Sequence, residues 1–147
     1  GRPFVGRAGQ LLDKMILAMG LRREDVYIAN VLKTRPPNNQ TPTVEEARIC
    51  APYLYEQIRI VAPEAIVTLG RSASQLLLST TESMGRLRGH WAVFPPEDPL
   101  VPVEAIHPIP VMPTYHPAFL LRSYTKDNRA RVWSDLCQVM ERLGIGG

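Results

Sequence analysis

The feature that most constrains this chain is a junction. The run Ala65-Ile66-Val67-Thr68-Leu69 reaches Gly70 and passes, with no linker, into the helical stretch Ser72 to Leu78. A short apolar run with β-branched members reads as a buried strand. Strand, tight turn and helix in that order form the repeating unit of α/β folds. The same alternation is legible elsewhere. Residues 8–19 place Leu11, Leu12, Met15, Ile16 and Met19 on one helical face, with Gly20 where a C-cap is favoured. Val26 to Leu32 reads as a strand ending at Lys33, and the prolines between Thr34 and Pro42 exclude regular structure in the loop that follows. Thr43 with Glu46 makes a capping-box signature. Ala47, Cys50, Leu54, Ile58 and Val61 then form the stripe of the longest helix, stopped at Pro63.

Further along, Trp91 to Phe94 reads as a short strand and Pro110 to Thr114 as a third core strand, whose prolines imply a strand end or an edge position. The last helix covers roughly residues 127–143, with Val132, Leu136, Val139, Met140 and Leu143 on one face. The pattern predicts one domain over residues 1–147, of the α/β class. Helices should cover both faces of a central parallel sheet, and ligands should gather at the carboxyl ends of its strands.

Composition narrows the function classes. At 147 residues and 45% hydrophobic content the chain can bury a real core. No apolar run approaches the length of a membrane span and no signal peptide opens the sequence, so a cytoplasmic protein without membrane association is expected. Cys50 and Cys137 fit neither a disulfide framework nor a CxxC metal site, and read as buried thiols in a reducing compartment. The net charge of +3 is a weak pointer to polyanions, but 14 of the 17 basic residues are Arg, whose planar fork matches phosphate.

Three polar groups fall near predicted strand ends: Asn30 with Lys33, Gly70-Arg71-Ser72, and Tyr115-His116. Each alone has a structural explanation. Asn30 can satisfy a buried backbone group, Gly70 can make a tight turn, and His116 can cap a helix. Their shared edge of the sheet is what a site requires, although spacing alone names no substrate.

The motifs themselves go further. Gly1-Arg2-Pro3-Phe4-Val5-Gly6-Arg7-Ala8-Gly9, Ile28-Ala29-Asn30-Val31-Leu32-Lys33, Arg35-Pro36-Pro37-Asn38, Leu69-Gly70, Arg88-Gly89 and Thr114-Tyr115-His116-Pro117-Ala118-Phe119-Leu120-Leu121-Arg122 occur in this order. Together they resemble the family 4 uracil-DNA glycosylases of bacteria and archaea over nearly the whole chain. The resemblance implies a three-layer α/β/α fold and a DNA-repair hydrolase that excises uracil from a flipped nucleotide in DNA. Phe4 would stack on the base and the Asn30 amide would read its edge, offering a donor to O4 and an acceptor to N3-H. His116 would stabilise charge developing on O2. Leu120 and Leu121 resemble the wedge that fills the gap in the stack, with core packing equally open. Lys33, Arg35, Arg88 and Arg122 would hold phosphate, with Arg86 extending the rim.

The sequence also departs from that family. Typical members bind a four-iron, four-sulfur cluster through four cysteines. Here Cys50 matches the fourth position, Thr34 stands at the third, and the first pair would precede Gly1. No cofactor is therefore expected. The family's first strand and its water-positioning Gly-Glu-Ala-Pro-Gly motif would also lie ahead of Gly1, so normal activity is not expected of these 147 residues alone. Uracil-containing DNA is the implied partner and a monomer the implied state. Two other readings stay open: a nucleic-acid-binding module without chemistry, and a small nucleotide-binding α/β domain using the turn at Gly70.

Overall fold

A computed structural model describes residues 6–29, 44–97, 99, 103 and 106–145. Six helices and three strands occur among them. Helix α1 spans Gly6–Ala18 and buries Leu12, Met15 and Ile16, with Met19 just beyond it. It ends at Gly20, whose φ of 82° is the left-handed geometry that glycine adopts without strain. Helix α2, Val44–Val61, runs through Pro52 and buries Ala51, Leu54, Tyr55 and Ile58. Val61, assigned to the buried stripe by periodicity, is 40% exposed. The stripe is rotated toward Tyr55, whose ring packs on Phe94 with centroids 5.1 Å apart.

Strand β1, Ile66–Leu69, leads through Gly70 into α3, Arg71–Leu78. A one-turn helix α4, Met84–Leu87, precedes strand β2, Ala92–Phe94. Strand β3, Ile109–Thr114, runs into α5, Pro117–Arg122, and the chain closes with α6, Lys126–Leu143. Alternation along β3 sends Val111 to one face of the sheet and Met112 to the other. Val111 joins Leu54, Tyr55, Ile58, Leu76, Leu77 and Phe94 from the α2 and α3 layer. Met112 joins Met15, Leu120, Val132, Leu136 and Val139 from α1, α5 and α6. The result is the three-layer α/β/α arrangement expected.

Three details differ from the sequence reading. The sheet order is β1-β3-β2, so β3 is central, not an edge or a strand end. It tolerates its prolines because of where their missing N–H groups fall. Thr114 accepts at its carbonyl from the Gly70 N–H, so even-numbered residues of β3 face β1, while Pro113 accepts from Gly89 on the opposite side. Pro110 therefore faces the β1 side one residue before that ladder starts at Ile66↔Val111. Pro113 faces the β2 side beyond the point where that ladder ends at Ala92↔Val111. No hydrogen bond is forfeited by either ring. Second, β2 pairs antiparallel with β3, so the described sheet is mixed, with only β1 and β3 parallel. Third, Val26 has extended backbone but Val26–Ala29 forms no strand among the described residues, and the rest of that run lies outside them. No described helix is long and apolar enough to cross a membrane.

Phe94 and Leu77 are the largest fully buried side chains of the α2/α3 layer. Phe94→Ala empties the space between Tyr55 and β3, and is expected to cost about 3 to 5 kcal/mol of unfolding free energy. Val93→Ala on the same strand, half exposed, is expected to cost under about 1 kcal/mol. Urea denaturation of the two variants checks the assignment of β2's inner face.

Candidate active site

The parallel register pairs Leu69 with Thr114, the last residues of β1 and β3. Gly70 and Tyr115-His116 therefore leave the sheet side by side. The approach is very close: a Cβ on Gly70 would sit 2.9 Å from the His116 Cβ, and Gly70 has φ 90°. Both facts require glycine at this position. The turn is held from behind, where the Ser74 hydroxyl donates to the Gly70 carbonyl at 2.7 Å and lies 2.8 Å from the Thr68 hydroxyl, both side chains buried. The Gly70 N–H donates to the Thr114 carbonyl at 2.8 Å.

His116 is the N-cap of α5. Its Nδ1 accepts from the Ala118 N–H at 2.9 Å, and buried Pro117 opens the helix. An acceptor role for Nδ1 leaves the ring hydrogen on Nε2, so the imidazole presents a donor at its other end. The capping role and a chemical role are thus compatible, because they use different nitrogens.

A groove of about 1440 Å³ runs along β1 between α1, α2 and α6 and reaches this pair. Gly70, Arg71, Ser72, Tyr115, His116 and Arg122 all line it, as does Ala29, the last described residue before Asn30. Tyr115 and Phe119 form an aromatic pair in its wall, centroids 4.7 Å apart. Two of the three polar groups picked out in the sequence therefore converge. Phe4, Asn30, Lys33, Thr34 and Arg35 lie outside the described residues, as does the side chain of Cys50, whose backbone belongs to α2. Cys137 is a free, half-buried thiol on α6.

Two sequence assignments change. Leu120 is 4% exposed and packs with Met15, Met112, Leu136 and Val139. Of the two roles left open for it, core packing is the one realised, because the α5 face it occupies turns toward α1 and α6. Leu121 stays half-exposed and Arg122 exposed. Arg88 is not a phosphate-binding rim residue. Its guanidinium grips Asp135 through Nη2 at 2.5 Å and Nε at 3.2 Å. Those bonds raise its pKa above the ordinary guanidinium value and keep it charged.

Asp135 is the residue that sequence reasoning missed. It is fully buried on α6 and also accepts from the Thr114 hydroxyl at 2.6 Å. The backbone of Gly89 packs against it, so that a Cβ there would approach its Oδ1 to 2.9 Å. One carboxylate thus joins α6, the turn after α4 and the end of β3, two residues before His116. The signal was present: an acid inside the apolar stripe Val132, Leu136, Val139, where a charge is tolerated only if paired.

The sequence that builds this site has known relatives. Residues 1–137 match the family model for the uracil DNA glycosylase superfamily, and the chain belongs to that superfamily. Within it, the chain is similar to Type-4 uracil-DNA glycosylases and, over a shorter stretch, to a Type-5 one. It is 42% identical over 137 residues to the Type-4 uracil-DNA glycosylase of Thermotoga maritima, covering 92% of this chain and 66% of that protein. It is 41% identical over 148 residues to the Type-4 enzyme of Archaeoglobus fulgidus, covering 98% and 69%. A Type-5 uracil-DNA glycosylase of Pyrobaculum aerophilum is 37% identical over 92 residues, covering 53% and 40%. The chain spans about two thirds of the length of the Type-4 relatives.

Two substitutions test the architecture. Arg88→Ala leaves the fully buried Asp135 carboxylate without its ion-pair partner, and is expected to cost about 3 to 5 kcal/mol in urea unfolding. Gly70→Ala is expected to lower stability by about 1 to 3 kcal/mol and to displace His116. Gly20→Ala, with a similar φ but open space around it, should cost less than Gly70→Ala and leave the His116 NMR signals unmoved.

Proposed function

We propose that this groove receives a uracil flipped out of DNA and that the protein is a DNA-repair glycosylase, hydrolysing the N-glycosidic bond and leaving an abasic site. The observation that carries the reading is His116, held against Gly70 with Nδ1 accepting from its own helix, so that the ring hydrogen sits on Nε2. Breaking the glycosidic bond sends an electron pair to the base, and the charge gathers on the carbonyl oxygens. A fixed N–H at O2 stabilises that charge only as it develops, which lowers the barrier without tightening ground-state binding. Water then adds at the sugar carbon and the base takes up a proton.

The remaining roles follow the same logic. Phe4 stacks on the flat face of the pyrimidine. The Asn30 amide matches uracil O4 and N3-H, whereas cytosine presents the reverse polarity and would leave buried groups unpaired. Leu121 fills the gap left in the stack, and Lys33, Arg35 and Arg122 bind phosphate. The water-positioning group belongs to the motif that the family resemblance puts ahead of Gly1. The chain's own donors do not suit an iron–sulfur cluster, since it has two cysteines, Cys50 and Cys137, and Thr34 stands at the position that matches the family's third ligand. The purified 147-residue chain should be colourless, and a broad visible absorption band with stoichiometric iron and sulfide would overturn this.

The test of the reaction uses the chain joined to the upstream segment of a Type-4 relative. Single-turnover excision from a uracil-containing oligonucleotide should fall about 100- to 1,000-fold in His116→Ala, with DNA affinity little changed. His116→Ser keeps a helix-capping oxygen but lacks the reach, and should show the same loss with near-parental stability. Equal losses of affinity and rate, or parental rate in both variants, would make His116 a structural cap alone. Binding of DNA without any uracil release by the parental fusion would point to a nucleic-acid-binding module.

A further inference from the structure

A second surface lies just past the site and shares only Arg122 with it. Helix α5 carries the chain six residues from His116 to Arg122, about 9 Å at 1.5 Å per residue. A short turn then enters α6, and it is held firmly. Thr125 N–H donates to the Ser123 carbonyl at 2.8 Å, Asn128 Nδ2 to the same carbonyl at 3.0 Å, and Asn128 N–H to the Thr125 hydroxyl at 3.1 Å. Tyr124 stands on this turn, 55% exposed, with the Arg129 guanidinium 4.7 Å from its ring centre.

The flank of α6 continues the pattern. Its buried face is Val132, Asp135, Leu136, Val139 and Met140. At 100° per residue, Lys126, Arg129 and Trp133 follow one another along one side of that face, spaced i, i+3, i+7. Trp133 is 44% exposed. Arg122, Lys126 and Arg129 form no ion pair among the described residues. Two large aromatic rings are thus left in water between three cations that lack counter-charges. Nothing in the core calls for this, because the opposite face of α6 already packs on β3 and α1. A membrane surface does not suit it either, since an interfacial helix needs a free apolar face. Alternating cations and flat rings suit a polyanion that has flat faces of its own, which is an unpaired nucleic-acid strand.

We infer that the Tyr124–Trp133 flank holds the single-stranded segment adjoining the nucleotide at His116. Arg122, Lys126 and Arg129 neutralise its phosphates, and Trp133, with Tyr124 stiffened by Arg129, stacks on its bases. This rests on the reading that the groove takes a flipped nucleotide, and it adds a preference for an unpaired flank.

Fluorescence anisotropy of the 147-residue chain with an undamaged single-stranded oligonucleotide, across a salt series, tests it without need of catalysis. The double variant Lys126→Gln/Arg129→Gln should reduce the log–log salt slope by about 1.4, or 0.7 for each cation removed. Lys14→Gln/Arg59→Gln, on α1 and α2, should leave the slope unchanged. Trp133→Ala should weaken binding about 5- to 150-fold, with Trp133→Phe restoring most of it. In a Trp91→Phe background the remaining indole emission should be quenched by DNA. An unchanged slope in the α6 pair, an equal change in the control pair, or parental binding by Trp133→Ala would overturn the inference. In the fused chain, the α6 variants should keep the parental single-turnover rate at saturating DNA. Loss of that rate in His116→Ala with the flank intact bears on the groove instead, so the two readings fail separately.

Discussion

Two strand ends meet where Leu69 pairs with Thr114, and the rest of the site is a consequence of how tightly they meet. With Gly70 donating to the Thr114 carbonyl and its bare Cα packed on His116, the imidazole is fixed by contact from one strand and by capping from the helix it opens. A side chain on a loop ordinarily samples several rotamers, and choosing one costs conformational entropy. Here the cost is met in folding, so the orientation of the ring is set by the fold itself. Preorganisation of that kind is what the role proposed for His116 at a leaving group needs.

The buried carboxylate of Asp135 serves the same end at one remove. Buried ion pairs rarely add net stability, because desolvation offsets the attraction. Their geometry is another matter. Arg88 and the Thr114 hydroxyl can satisfy Asp135, and Gly89 can pack against it, only when α6, the turn after α4 and the end of β3 are in one relative arrangement. An apolar residue there would tolerate small sliding of the helix against the sheet. The charged network does not, and the strand it fixes is the one that ends at His116.

Much of this was legible in the sequence, and the reasons for the failures are physical. Helices α1, α3 and α6 announced themselves because amphipathic periodicity directly records which face is buried. The convergence of Gly70 and His116 followed from a topological rule about strand ends. Central placement of β3 was not legible, since a proline's effect depends on which neighbour its nitrogen faces, and pairing is a long-range property. Leu120 was undecidable because a leucine inserted into DNA and a leucine in a core share the same chemistry, and only the rotation of α5 separates them. Arg88 looked like a surface cation because its partner lies 47 positions away. Asp135 looked like one polar residue among many on α6, though its place in the apolar stripe distinguished it.

The two prolines of β3 act as stops against slippage. Side-chain alternation forbids a shift of one residue, which would turn the core face to solvent, but a shift of two preserves the pattern and is the error that sheets are prone to. Sliding β3 by two in one direction would bring Pro110 opposite Val67, inside the ladder with β1. Sliding it by two in the other would bring Pro113 opposite Ala92, inside the ladder with β2. Each displacement meets a ring where an N–H is required. The strand therefore has a single place to rest, and the position of the histidine two residues beyond its end is spelled out by residues that never touch the groove's contents.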